Sequence, residues 1–165
     1  MVKGEQGMST IIIEPVVKHL TVNCSPDLAF QYFTENMGDW WPLETHGLSK
    51  DRTGQGAIDC VMEGRVGGRV YEVAHTKEEF DWGVVLVWEP GSHVRWTWHL
   101  SHPPEQSTEI DVRFEDAGDG TTKVSLVHDH WENWTEDGAV MRDNYNNGWV
   151  TVFDERFASF VAEQV

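Results

Sequence analysis

Short runs of alternating apolar and polar residues occupy the middle of the chain, from Gly56 to His130. Residues two apart share one face of a strand, so this alternation predicts strands with a buried side. Turn residues separate the runs, and AGDGT at 117–121 favours a hairpin. Successive strands with short turns predict an antiparallel meander. The six runs are AIDCVMEG, RVYEVAHT, FDWGVVLVWEP, SHVRWTWHL, TEIDVRFED and TTKVSLVHDHW.

The last four runs predict one continuous apolar face, because their large residues recur at every second position. Such a face needs a partner element to cover it. Its predicted members are Trp82, Val84, Leu86 and Trp88; Val94, Trp96, Trp98 and Leu100; Ile110, Val112 and Phe114; and Val124, Leu126 and His128.

Different patterns flank this region. Residues 15–24 alternate loosely and predict a further strand. Ser25 suits a helix N-cap and Pro26 the first helical position, so a short helix is predicted to end near Gly38. From about 138 to 163, apolar residues recur at three- and four-residue steps, which predicts a long amphipathic helix. Its stripe contains Met141, Tyr145, Trp149, Val152, Phe153, Arg156 and Phe160.

These elements predict an α+β domain in which a curved antiparallel sheet of about seven strands wraps around the C-terminal helix. A helix held in this way leaves a concave, mostly apolar space of the kind that binds small ligands. The length favours a single domain over residues 11–165, preceded by a disordered leader over residues 1–10.

Composition narrows the range of partners. Asp and Glu number 28 against 12 Lys and Arg, a formal net charge of −16. Binding to nucleic acid or to an anionic membrane relies on basic residues, so neither partner is expected. The only early apolar run is three residues long, too short for a signal peptide or a membrane span. Reduced thiols at Cys24 and Cys60 would suit a cytoplasmic protein, although a disulfide remains open.

Tryptophan is the main compositional outlier, with nine residues in the chain. Two of them are adjacent, Trp40 and Trp41, and Pro42 follows. Neighbouring side chains diverge, so at least one of this pair must find cover in another element. Large aromatic residues concentrate in cores, interfaces and ligand pockets. We therefore predict a ligand-binding site formed by Trp40, Trp41, Trp82, Trp96, Trp98, His128, Tyr145, Trp149 and Phe153.

Five ordered stretches carry a resemblance to a known family. They are SPDLAFQYFTENMGDWWP, EGRVGGRVYE, WGVVLVWEPGSHVRWTW, GTTKVSLVHDHW and YNNGW, which lie between residues 25 and 149, and the resemblance extends from about residue 15 to 163. The chain resembles the START-like, or SRPBCC, helix-grip superfamily, and within it homologues of the activator of the heat-shock protein 90 ATPase. The resemblance implies that two short helices close one end of a deep cavity, with Trp40 and Trp41 near its lip.

Many members of this superfamily bind hydrophobic or amphipathic small molecules, and others are cyclases or dehydratases. The resemblance therefore implies a hydrophobic small-molecule partner, with an enzyme using the same cavity as the alternative. One subset binds a chaperone, but that activity belongs to a protein with an additional N-terminal domain. A protein-interaction module or a homodimer is a third alternative, for which Trp131 and Trp134 are the candidate exposed residues.

Specific chemistry is weakly indicated. His128 and His130 share a strand face and, with Glu132, could hold a metal, but no firm third ligand follows from the sequence. We predict no metal and no cofactor, and interpret His128 as a polar anchor in the pocket, or as the first candidate acid–base residue if the protein is an enzyme. Glu63, Glu72 and Asp81 could face inward from strands, but no catalytic residue is assigned.

Overall fold

The structure is a computed structural model that describes residues 12–100 and 102–164. The predicted leader over residues 1–10 lies outside the described residues. The chain begins with strand β1 (Val16–Val22), followed by helices α1 (Pro26–Thr34), α2 (Met37–Trp40) and α3 (Ser49–Thr53). The predicted start of α1 is confirmed, because the Ser25 hydroxyl accepts the Leu28 N–H at 3.2 Å and Pro26 opens the helix.

Six further strands complete a single antiparallel sheet in the order β1-β7-β6-β5-β4-β3-β2. Apart from β1, which pairs with β7, each strand pairs with its neighbours in sequence, as a meander requires. The strands are β2 (Asp59–Met62), β3 (Arg69–Val73), β4 (Glu79–Glu89), β5 (His93–Trp98), β6 (Thr108–Gly118) and β7 (Thr121–Asp129).

The register aligns the buried face across the central strands. Val94 on β5 lies opposite Val112 on β6, which in turn lies opposite Leu126 on β7, and all three side chains are fully buried. Side chains in such a row contact each other directly. The predicted inward face of β5, β6 and β7 is therefore confirmed.

The predicted inward face of β4 is wrong in part. Register shifts next to Trp82 and Leu86 interrupt the pairing of this strand with β3 and β5, and each shift changes which residues face inward. Trp82 and Val85 are buried, whereas Val84 and Leu86 are about 40% exposed on the outer face. A strict two-residue alternation cannot anticipate an inserted residue.

The chain ends in one long helical body, as predicted. Two 3₁₀ turns (Trp131–Asp137) lead into α4 (Gly138–Trp149), a π-helical segment (Val150–Phe157) and α5 (Ala158–Gln164). Its buried side chains face the sheet: Trp149, Val152, Phe153, Phe157 and Val161. Arg156 does not belong to this stripe, because its side chain is 44% exposed and bonds Glu44.

The core lies between the curved sheet and this helix, with α1 covering the other part of the sheet. Phe33 of α1 contacts Phe114 of the sheet and Phe157 of the C-terminal helix, with ring centroids 5.9 and 5.2 Å apart. The helix-grip fold is therefore confirmed. Within the residues described, no helix combines the length and the apolar character needed to cross a membrane.

Candidate functional site

A cavity of about 200 Å³ opens between the C-terminal helix, the end of β5 and the loop that joins α2 to α3. Its wall is mainly apolar and aromatic, with a few polar groups. A space of this kind is the default candidate for a ligand site. The lining residues are Trp41, His46, Gly47, Trp98, Leu100, Asn144, Tyr145, Gly148, Trp149 and Val152.

The adjacent tryptophans separate as their positions in sequence require. Trp40 points into the core, where its ring packs 5.1 Å from Phe33 and its indole N–H donates to the Tyr32 carbonyl at 2.9 Å. Trp41 turns the other way and lines the cavity, while its indole N–H donates to the His46 carbonyl at 2.6 Å. Each indole therefore has both apolar cover and a hydrogen-bond partner.

An aromatic cluster supports the cavity wall. The Trp41 ring lies 4.8 Å from Trp82 and 5.9 Å from Trp98, and Trp82 lies 5.1 Å from Trp98. Trp149 of α4 meets Trp41 edge-on at 6.0 Å. Tilted and edge-on pairs at these distances are the favourable arrangements for aromatic rings. The wall is therefore built from aromatic rings that pack against one another.

The nine residues predicted to bind ligand divide into two groups. Trp41, Trp98, Tyr145 and Trp149 line the cavity. The other five are buried but do not line it, so any part that they have in binding is indirect. These five are Trp40, Trp82, Trp96, His128 and Phe153.

His128 is fully buried behind the wall, and its hydrogen bonds define its tautomer. The Trp149 indole can only donate, so His128 Nδ1, 3.0 Å away, accepts. Nε2 then carries the proton and donates to Thr108 Oγ1 at 2.8 Å, while that hydroxyl donates to the Trp98 carbonyl. Burial lowers the pKa of His128 well below its usual value. The imidazole is a neutral structural link between helix and sheet.

The same contacts bear on the metal hypothesis. Both ring nitrogens of His128 are occupied by protein partners, and His130 instead contacts Asp129 at 2.7 Å. Residues 12–100 and 102–164 contain no group of three or more His, Cys, Asp or Glu side chains suited to a metal. Cys24 and Cys60 are both free and buried, and burial raises the pKa of each thiol.

Tyr145 supplies a polar group at the cavity. Its phenolic oxygen accepts the Trp98 indole N–H at 2.9 Å. Burial raises the pKa of Tyr145 to about 12, so the phenol stays protonated at neutral pH. The Tyr145 hydroxyl donates to no acceptor within the described residues, and it can therefore donate to a ligand.

Glu72 holds the loop that carries His46 and Gly47. This fully buried carboxylate accepts the backbone N–H groups of Leu48 and Ser49, the Ser49 hydroxyl and the Trp82 indole N–H, at 2.6–2.9 Å. A Cβ at Gly47 would lie 2.8 Å from both carboxylate oxygens, so only glycine fits there. Of the three acidic candidates, Glu72 alone is buried, and its role is structural; Glu63 and Asp81 bind Arg69 at the surface.

Sequence reasoning missed several residues of the wall, notably His46. His46 lies within GDWWPLETHGLSK, five residues after Trp41, but nothing local marks it as a cavity residue. Gly148 stands inside an otherwise strong helical pattern, and a glycine there predicts that the helix backbone approaches another element closely. That prediction is wrong. A Cβ at this position would have no atom within 4 Å, so the missing side chain leaves cavity space.

The predicted exposure of Trp131 and Trp134 is wrong. Both indoles are buried, because the 3₁₀ turns fold them against His128 and Tyr145. The Trp131 N–H donates to the His128 carbonyl at 2.8 Å. The protein-interaction hypothesis therefore loses the surface on which it rested.

Several solved structures are similar to this chain, and two of them share a quarter or more of its aligned residues. One is described as an anthrahydroquino-γ-pyrone synthase, Txn09; it is 30% identical, with 89% of this chain and 96% of that chain covered and a TM-score of 0.60. The other is CalC from Micromonospora echinospora, described as a self-sacrificing resistance protein; it is 25% identical, with 92% and 96% covered and a TM-score of 0.69. Protein MLL2253 from Mesorhizobium loti, 15% identical with 92% and 98% covered and a TM-score of 0.62, shares the fold.

No curated protein shows significant similarity to the chain. The sequence profile of one family, described as Activator of Hsp90 ATPase homolog 1-like protein, matches residues 23–162. That match begins directly after β1 and covers every other element through most of α5. The chain therefore belongs to the family of activator of Hsp90 ATPase homolog 1-like proteins.

Proposed function

We propose that this protein binds a small, flat, mainly apolar molecule in the cavity between the sheet and the C-terminal helix. The observation that carries the proposal is the cavity itself, about 200 Å³ of space walled by Trp41, Trp98 and Trp149 next to the hydrophobic core. The wall combines large aromatic area with few polar groups, as ligand pockets do.

The volume limits the size of the buried part of the ligand. An engineered apolar cavity of roughly 150 Å³ binds benzene, and drug-sized ligands occupy pockets of roughly 300–1,000 Å³. A cavity of about 200 Å³ therefore accommodates one or two rings. The relative described as an anthrahydroquino-γ-pyrone synthase supports a ring-containing ligand, since its name denotes a fused-ring compound.

Gly148 offers a test that does not depend on removing core residues. Gly148→Leu would place a side chain into the empty space, and replacing glycine within a helix also favours folding by about 1 kcal/mol. Asn147→Leu is the matched control, because Asn147 is the neighbouring helical residue, is exposed and does not line the cavity. The two variants add the same side chain on different sides of the helix.

The probe is 2-naphthol, a neutral two-ring molecule, with binding followed by ligand-detected NMR and by tryptophan fluorescence. We expect the wild type and Asn147→Leu to bind with similar affinity, and Gly148→Leu to lose at least tenfold. Equal binding by Gly148→Leu and Asn147→Leu would contradict the proposal. In a separate experiment, native mass spectrometry of the freshly purified proteins would give the mass of any molecule that the wild type retains and Gly148→Leu does not.

A further inference from the structure

A histidine and a tyrosine line the same cavity, and each of these two residues accepts a hydrogen bond from a different tryptophan. Trp41 donates to the His46 carbonyl at 2.6 Å, and Trp98 donates to the Tyr145 hydroxyl at 2.9 Å. The rings of these two tryptophans lie only 5.9 Å apart. The loop after α2 and helix α4 are thereby brought to one place, with one polar side chain from each lining the space between them.

His46 has the features of a base. Its Nδ1 lies 2.7 Å from Thr45 Oγ1, and its Nε2 has no hydrogen-bond partner among the described residues. Burial, together with nearby Arg156, lowers the pKa of His46 against the opposing charge of Glu44, and this favours the neutral imidazole. When Nδ1–H donates to Thr45, the lone pair lies on Nε2.

Tyr145 has the complementary features. Its oxygen already accepts from Trp98, so what it offers to a ligand is its O–H, a donor suited to a carbonyl oxygen. A donor in a water-poor apolar site stabilises negative charge on that oxygen more strongly than the same donor in water. A ketone with a C–H group next to its carbonyl could use both side chains.

We propose that the cavity is a proton-transfer site, in which His46 Nε2 removes a proton from the carbon next to a ring ketone while the Tyr145 hydroxyl hydrogen-bonds the carbonyl oxygen. This inference rests on the proposed function, since it requires a ring-containing ligand in the same cavity. His128, the residue that the sequence favoured for acid–base chemistry, has no part in it, because both of its ring nitrogens are bonded within the protein.

The step is balanced without an oxidant or a cofactor. The C–H bond breaks, its proton moves to His46 Nε2, and its electron pair forms the C=C bond of an enolate. The carbonyl oxygen takes the negative charge and is stabilised by the O–H of Tyr145. Return of a proton from the imidazolium to carbon regenerates the ketone. In D₂O the imidazolium exchanges its N–H proton for a deuteron from the solvent before the return, so the carbon receives deuterium.

Deuterium exchange into 2-tetralone, a two-ring ketone, tests the step directly. The rate of loss of its α-proton signals in D₂O is measured by NMR as a function of ketone concentration, with and without protein. We expect acceleration that saturates with ketone. His46→Gln should lower the saturated rate by about 100-fold or more, within the usual range for a general base. Tyr145→Phe should lower it by about 10- to 100-fold, as loss of one oxyanion donor does.

Two controls separate chemistry from folding and from binding. His75→Gln removes an exposed histidine far from the cavity wall in sequence and should exchange at the wild-type rate. Binding of 2-tetralone, measured by ligand-detected NMR, should persist in His46→Gln, so that the loss appears in the saturated rate and not in the half-saturation concentration.

Three results would overturn the inference. The first is that 2-tetralone binds but its α-protons exchange no faster than without protein. The second is that the protein accelerates this exchange equally well in the His46→Gln variant. The third is failure of 2-tetralone to bind while 2-naphthol binds in a Gly148-dependent manner, because the inference needs a ketone of that size to fit. In each of these cases the proposed binding function would stand, whereas equal 2-naphthol binding by Gly148→Leu would remove both.

Discussion

Replacing Glu72 with glutamine should destabilise the protein by about 3 kcal/mol, although the two side chains have nearly the same shape. The carboxylate is fully buried and accepts four hydrogen bonds. Oε1 accepts from the Leu48 N–H at 2.6 Å and the Trp82 indole at 2.7 Å. Oε2 accepts from the Ser49 N–H at 2.9 Å and the Ser49 hydroxyl at 2.6 Å. Every partner is a donor, which suits an acceptor-only carboxylate.

Glutamine replaces one of these oxygens with an NH₂ group. The better orientation places the NH₂ beside Ser49, whose hydroxyl can turn and accept, but the Ser49 backbone N–H then faces another donor. Leaving one buried donor unmatched costs about 1–3 kcal/mol. The remaining bonds lose the charge that strengthened them, at up to about 1 kcal/mol each. The sum is about 3 kcal/mol, a large share of the roughly 5–15 kcal/mol that stabilises a typical domain.

Urea denaturation followed by tryptophan fluorescence measures this loss. Glu79→Gln is the control, because Glu79 is exposed and bonds only Arg69 at the surface, so its change should stay within about 0.5 kcal/mol. Glu72→Gln should also weaken 2-naphthol binding, since the loop held by Glu72 carries His46 and Gly47. A loss below about 1 kcal/mol would refute the reasoning, because relief from burying a charge would then offset the broken bonds.

Three further predictions concern the same region. Burial lowers the pKa of His128, so at low pH the unfolded chain binds a proton that the folded chain does not. The free energy of unfolding should therefore fall as the pH drops below about 6.5, by up to about 1.4 kcal/mol per pH unit. Denaturation between pH 5 and 8 measures this slope, and a His128→Gln variant with an unreduced slope would contradict the assigned cause. Gly148→Ala should stabilise the protein by about 1 kcal/mol, because its Cβ would meet open space. Gly47→Ala should destabilise the protein, because its Cβ would lie 2.8 Å from the buried carboxylate of Glu72. Melting temperatures that rank the two variants the other way would contradict both expectations. Trp131→Phe should lower the free energy of unfolding by about 1–2 kcal/mol more than Trp134→Phe does. The Trp131 N–H donates to a buried carbonyl, whereas the Trp134 N–H has no partner within the described residues. Equal losses of stability in urea denaturation would show that the Trp131 hydrogen bond contributes nothing.

Most of the secondary structure, and the order of its elements, follows from local patterns in the sequence. The Ser25-Pro26 cap, the alternation in β5, β6 and β7 and the stripe of the C-terminal helix are local patterns, and each predicted its element. A face that is apolar along its whole length must be covered, so the sheet and the helix had to pack together. Where the local pattern changed by one residue, as at the bulges of β4, the predicted face was wrong at Val84 and Leu86.

Which apolar side chains border empty space, and which are packed, depends on how the elements come together in the folded chain. Trp82 and Trp98 face the same side of the sheet, yet Trp98 lines the cavity and Trp82 lies behind Trp41. Alternation reports the direction of a side chain, but not what lies beyond it. The loop that carries His46 is held by Glu72, which is more than 20 residues away, and Gly148 lines the cavity through the absence of a side chain. Contacts of this range are set by how the elements close on one another, and for that reason the candidate site could be read from the folded chain alone.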